Sequence, residues 1–131
     1  MHWLVVGASA FMLVSLALAW LSTAVRILRV QSLKARFPAH DNLVKAHIDY
    51  LLMALLLMAY YLVANYLEME YPAWVIATML IGGALNPFTF IIVAMYKKEE
   101  FRPGLIFKAV TMLSFTVTTI GFASAAILVA F

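Results

Sequence analysis

The chain contains no cysteine. That absence excludes disulfides, thiol catalysis, Cys-ligated zinc and iron–sulfur clusters, and it leaves histidine as the strong neutral metal ligand. Charge is nearly as scarce. Only 11% of the 131 residues are Asp, Glu, Lys or Arg, against 66% hydrophobic residues and a mean hydropathy of +1.01. A soluble domain carries about 25% charged residues. This composition cannot cover a surface facing water, so the chain reads as an integral membrane protein. A Gly-rich phosphate loop, an HExxH pair and a Ser–His–acid set are missing too. No Asp or Glu falls at mid-membrane depth, which argues against a proton-coupled multidrug transporter of similar size. The net charge of +3 does not point to nucleic acid, because the basic residues are grouped by membrane side.

What is present is long apolar runs. A spanning helix needs roughly 20 apolar residues, and four stretches qualify, at about 3–25, 44–66, 73–96 and 105–130. The first lacks a basic segment before it and is followed by Arg26 and Arg29, so it is expected to be a span rather than a signal peptide. The connections are short, and residues 1–131 form one transmembrane domain. The expected fold is all-α, an antiparallel four-helix bundle in the lipid bilayer.

The nine basic residues Arg26, Arg29, Lys34, Arg36, Lys45, Lys97, Lys98, Arg102 and Lys108 all fall on one side, while Glu68 and Glu70 lie on the other. The positive-inside rule then puts both termini outside and the basic loops in the cytoplasm, with a bacterial inner membrane as the expected location. Trp3, Tyr60, Tyr61, Tyr66, Tyr71 and Trp74 gather at the outer interface, and Tyr96, Phe101 and Phe107 at the inner one. Asp41 or Asn42 can cap the second long helix, just after Pro38. Pro72 suits the start of the third, and the sequence RPG at 102–104 breaks the chain before the fourth.

The segment "DNLVKAHIDY" at 41–50 sets Lys45, His47 and Asp49 at the start of a membrane helix. Lys45 and Asp49 are spaced i,i+4 and suit an ion pair, in which case His47 simply lies among the headgroups. The alternative makes His47 an axial ligand to haem iron. A basic helix end serves the anionic edge of such a cofactor, and Lys45, Lys34 or Arg36 would stand near it. Tyr50 shares the His47 face and would flank the ring. Within "GGALNPF" at 82–88, Pro87 cannot donate to the carbonyl of Gly83 and is expected to kink the helix. Asn86 then either satisfies freed carbonyls or a neighbouring helix, or offers a donor to a bound ligand. The hydroxyls of Thr111, Ser114, Thr116, Thr118 and Thr119 are expected to bond their own helix. His2 and His40 are expected to be exposed. His40 shares a face with His47 only if the helix reaches back across its expected cap.

The stretch "KAHIDYLLMALLLMAYYLV" at 45–63, followed by "IGGALNPFTF" at 81–90, resembles the styrene oxide isomerase family of small four-span membrane haem proteins. The resemblance implies a homo-oligomer, a trimer, with haem b at the subunit contacts. It assigns His47 as the iron ligand and Asn86 as the catalytic Asn of the third span. It implies Lewis-acid conversion of an epoxide, a small apolar ligand, to an aldehyde. Three positions depart from the family: Met53 replaces an Asn, Phe90 a Tyr, and Gly82 an acidic residue. A haem protein with a different task fits this pattern better than a faithful isomerase. Two further classes stand beside that reading. One is a non-enzymatic membrane accessory subunit packing through its Ala, Gly and Ser faces. The other is a carrier of a small apolar solute.

Overall fold

The structure, a computed structural model, describes residues 1–96 and 104–131. The described residues form five helices and no strand: α1 (His2–Arg26), α2 (Gln31–Arg36), α3 (Asp41–Tyr66), α4 (Ala73–Ala94) and α5 (Leu105–Ala130). All but α2 are long and apolar enough to cross a membrane. In lipid no water is available to the backbone, so each span must satisfy its own N–H and C=O groups, which a helix does. The expected all-α architecture is therefore observed, with four helices able to span a membrane. The basic connection at 97–103, including the residues Arg102 and Pro103 expected to break the chain, lies outside the described residues.

The helices pair by two different devices. The buried residues of α1 are Leu4, Ala8, Phe11, Ser15, Leu18, Ser22 and Val25, alternating four and three apart. On α3, Leu43, Ala46, Tyr50, Met53, Leu57 and Ala64 continue that spacing across the seam. This is the heptad pattern of antiparallel helices packing side chain into gap. The α4–α5 contact uses small residues instead. A Cβ on Gly121 would meet the Met79 nitrogen at 2.7 Å, and one on Gly82 would meet the Thr118 backbone at 2.7 Å. Backbones approach that closely only where side chains are missing, the usual route to helix association in membranes.

α3 and α4 occupy the centre. α1 packs on α3 and grazes α4, while α5 packs on α4 and grazes α3; α1 and α5 do not meet. The bundle is thus not closed into a ring. α5 buries only Ser114, Gly121 and Ala125. The expected hydroxyl pattern holds on α5: Thr111, Thr116, Thr118 and Thr119 each donate to the carbonyl four residues back, at 2.7–2.9 Å. Ser114 is the exception, fully buried with an Oγ lacking a partner among the described residues.

Several helix ends differ from expectation. α3 begins at Asp41 after His40, with no side-chain cap. Asn42 does not cap it; its amide donates back to the Ala39 carbonyl at 3.2 Å. The Ala39 N–H in turn donates to the Ala94 carbonyl at 3.2 Å, fastening the α2–α3 connection to the end of α4. α4 ends at Ala94 rather than 96. The other end of α3 closes through Glu68, which takes the left-handed conformation with φ 53°. The Met69 N–H then bonds the Ala64 carbonyl at 2.9 Å, the helix-stopping arrangement that glycine usually provides.

Tyr71 anchors the α3–α4 turn. Its hydroxyl donates to the Tyr60 carbonyl at 3.0 Å, and the two rings meet edge to face, with centroids 6.3 Å apart. Burial, with a smaller contribution from Tyr60, pushes the Tyr71 phenol above its ordinary value of 10.0. A raised folded value favours the protonated form, so its contribution is complete below pH 10 and is lost as pH rises through the raised value. Wild-type stability in detergent should fall above about pH 10, and Tyr71→Phe should be less stable at pH 8 but flatter across that alkaline range. Gly121→Ala should destabilise the α4–α5 contact by about 1–2 kcal/mol. The clash with α4 backbone outweighs the roughly 1 kcal/mol that alanine gains in helix propensity. Reversible unfolding in mixed micelles measures this.

Candidate functional site

His47 lies on α3 two turns from its start and turns toward α1. Its Nδ1 sits 2.7 Å from the Ser15 carbonyl oxygen and 2.8 Å from Ser15 Oγ. The carbonyl can only accept, so Nδ1 carries the proton and donates. The Ser15 hydroxyl spends its own proton on the His47 carbonyl, at 3.0 Å. Two residues, 32 apart in sequence, therefore lock two helices together through fully buried Ser15. With Nδ1–H committed, the neutral ring presents Nε2 as a free lone pair. A metal-ligating histidine has this arrangement, with one ring nitrogen anchored to a carbonyl and the other on the metal.

The other expected site residues fall around this point in different ways. Tyr50, one turn further on, is buried, with its ring 5.7 Å from that of Phe11. Its hydroxyl donates to the Ala84 carbonyl at 2.9 Å, near the interior Pro87 of α4. Its O–H is thus taken, and only its ring is available as a wall. Lys45 is exposed at the basic end of α3. It forms no ion pair with Asp49, so that expected pairing is not found. Asn86 is half-buried on α4, and its amide has no hydrogen bond among the described residues. No hydrogen bond joins it to His47, Tyr50 or Lys45. The structure thus sets His47 against α1 and Tyr50 against α1 and α4, with Asn86 two residues along α4 from the carbonyl that Tyr50 bonds.

His40 is not exposed as expected. It stands just before α3 as its N-cap residue, with helical dihedrals (φ −62°, ψ −18°). Its Nδ1 is buried without a partner among the described residues. The two imidazoles stand seven residues apart, about 10 Å along the axis at 1.5 Å per residue, which is too far to share one ion. No cluster of three metal-ligating side chains occurs among the described residues.

The three departures from the isomerase pattern are packing positions. Met53 is buried, with its sulfur 3.7 Å from where a Gly83 Cβ would stand. Gly82 admits the Thr118 backbone, and Phe90 packs against the core. Ser15 is the residue that sequence reasoning missed. Its signal is the four–three spacing of α1, which puts Ser15, like Ser22, in a mostly apolar seam. Tyr50→Phe should cost about 1 kcal/mol, the usual net value of one internal hydrogen bond, measured by reversible unfolding in micelles; a loss above about 3 kcal/mol would mean that the hydroxyl does more than tie α3 to α4.

Comparison of the chain with protein-family models, with curated proteins and with solved structures yields no match.

Proposed function

We propose that the chain is an integral protein of the bacterial inner membrane, its termini outside and its basic loops in the cytoplasm, that binds haem b through Nε2 of His47. The observation that carries this reading is the hydrogen bond from His47 Nδ1 to the Ser15 carbonyl, which fixes the tautomer and leaves Nε2 free. Two features suit the group: a single anchored imidazole and the exposed cation of Lys45 at the same end of α3. When bound, ferric haem supplies a Lewis acid that polarises the oxygen of a small apolar ligand such as an epoxide.

The chain's own groups then have distinct tasks. Ser15 holds the imidazole at a fixed angle. Tyr50 offers the face of its ring, because its hydroxyl is committed to α4. Lys45 neutralises an anionic edge. The Asn86 amide is free to donate to an oxygen that gains negative charge during a reaction. The polar side chains that orient an epoxide in the isomerase family are replaced here by Met53, Phe90 and Gly82. Apolar contact therefore dominates binding, and a task other than faithful epoxide isomerisation is favoured. Because α1 and α5 leave the bundle open, a second and third copy can complete the walls of a shared site, the trimer that the family resemblance implies.

One observation favours a second reading. Ser15 and His47 already fasten α1 to α3 by themselves, which is sufficient for a non-enzymatic accessory subunit.

Visible spectroscopy separates the two. Protein expressed with a haem precursor and purified in detergent should show a Soret band. His47→Ala should lose it, and added imidazole should restore part of it. Wild-type protein that stays colourless, beside a control haem protein that loads, overturns the haem reading and leaves the clamp. If coloured protein turns over epoxides, Asn86→Ala should lower kcat roughly a hundredfold, the usual cost of one donor to a developing oxyanion.

A further inference from the structure

A second polar feature lies at the basic end of α1, and it does not depend on the haem reading. Ser22, Thr23, Arg26 and Ile27 line a groove of about 270 Å³. Ser22 belongs to the buried stripe of α1 and is only 7% exposed, yet its hydroxyl has no hydrogen-bond partner among the described residues. That hydroxyl opens onto the groove beside a guanidinium, where it can donate to an acceptor. No hydrogen bond joins Ser22 to Thr23, whose own hydroxyl donates to the Ala19 carbonyl at 2.9 Å.

The end of a helix ordinarily repels anions, because its last carbonyls carry partial negative charge. Here two of those carbonyls, of Thr23 and Ala24, are already taken. The N–H groups of Ile27 and Leu28 both reach the Thr23 carbonyl, at 2.9 and 3.1 Å, and that of Val30 reaches Ala24 at 3.1 Å. The turn is made by Arg29 in the left-handed conformation, φ 52°. Arg26 is exposed, and Arg29, Lys34, Arg36 and Lys45 follow within twenty residues, with only Asp41 of opposite sign between them. The neighbouring surface is apolar: Trp20 is 74% exposed and Ile27 73%.

A donor hydroxyl, a guanidinium and a cationic field stand beside bare apolar surface. That combination matches a phosphate diester joined to hydrocarbon chains. We propose that this groove binds the headgroup of an anionic phospholipid, with Arg26 and Ser22 donating to the phosphate oxygens and the acyl chains lying along Ile27 and Trp20. Arg26 is the specific element, because a planar guanidinium can give two parallel hydrogen bonds to phosphate where an ammonium gives a point charge.

The test is native mass spectrometry of the full chain released from nanodiscs of equal parts phosphatidylglycerol and phosphatidylcholine. One phosphatidylglycerol should remain bound after phosphatidylcholine has been stripped. Arg26→Gln should reduce its retention about tenfold or more, and Arg26→Lys should also lose it in part. Ser22→Ala should weaken it about threefold, as expected for one neutral hydrogen bond. Lys34→Gln, which removes an exposed charge of the same cluster, should lose no more than about fivefold, the value of a single surface cation. Equal losses for Arg26→Gln and Lys34→Gln, or wild-type retention in Arg26→Lys, would mean a diffuse basic field and overturn the site. Equal retention of the two lipids overturns it as well. Release of the lipid by excess inorganic phosphate would show a plain anion site and overturn the lipid assignment. Circular dichroism melts of each variant separate these losses from misfolding, since exposed Arg26 can be altered without touching the core.

Discussion

The proton on His47 Nδ1 has a fixed destination, the Ser15 carbonyl, and much of the molecule is arranged around that bond. It sits in the α1–α3 seam, where a heptad spacing of mostly apolar residues brings two antiparallel helices together. It sets the level at which the seam meets: Ser15 beside His47 places Phe11 beside Tyr50, and the Tyr50 hydroxyl then reaches across to the Ala84 carbonyl of α4. In water such polar contacts trade protein for solvent partners at little net gain. At a lipid-facing helix pair the gain is also modest, since an unassembled helix finds other partners. The contribution of the bond lies in register. An apolar seam alone tolerates a slip of one heptad, whereas a slip here would strand an imidazole and a hydroxyl.

The other half of the bundle obeys a different constraint. α4 and α5 meet where Gly82 and Gly121 remove side chains, so their affinity comes from backbone proximity rather than from large apolar groups. Such contacts are narrow. α5 accordingly buries three residues along its whole length. The two devices divide the molecule into a polar-registered pair and a small-residue pair, joined through α3 and α4.

The spans were legible because lipid imposes one simple rule, length of apolar run, and four runs satisfied it. The glycine contacts were legible in part, since "GG" at 82–83 and "GFASAA" at 121–126 announce close approach without naming the partner. Helix ends were read less well. Asn42 was expected to cap α3, but tertiary contact took precedence: its amide serves Ala39, which is itself tied to Ala94. α3 also starts earlier than its apolar run, at Asp41, with His40 as the residue before it. Helix α2, six residues of mixed character, has no periodicity long enough to detect. Lys45 and Asp49 have the right spacing for an ion pair and do not form one, because i,i+4 geometry permits such a contact without enforcing it. Ser15 was hidden by its chemistry, a small polar residue in a stretch where any small residue packs well.

Depth decides what the free side of His47 requires. α3 has 26 residues, about 39 Å at 1.5 Å per residue, against about 30 Å of hydrocarbon in a typical bilayer. The excess of about 9 Å corresponds to six residues. Tyr60, Tyr61 and Tyr66 form an aromatic belt over the last turns of α3, so part of the excess falls at that end and the rest over its basic start. His47, six residues past Asp41, then stands at the hydrocarbon boundary or inside it. A ring nitrogen in the headgroups finds water without help; one at the hydrocarbon boundary gives up that partner and needs another. A pure clamp would use only Nδ1, and serine or threonine could make it without leaving a second polar atom at the edge of the lipid. Histidine at this depth is economical only if Nε2 is also employed. An anchored ring with Nε2 uncommitted is what the proposed iron ligation requires, and a clamp through Nδ1 alone would leave that nitrogen unused.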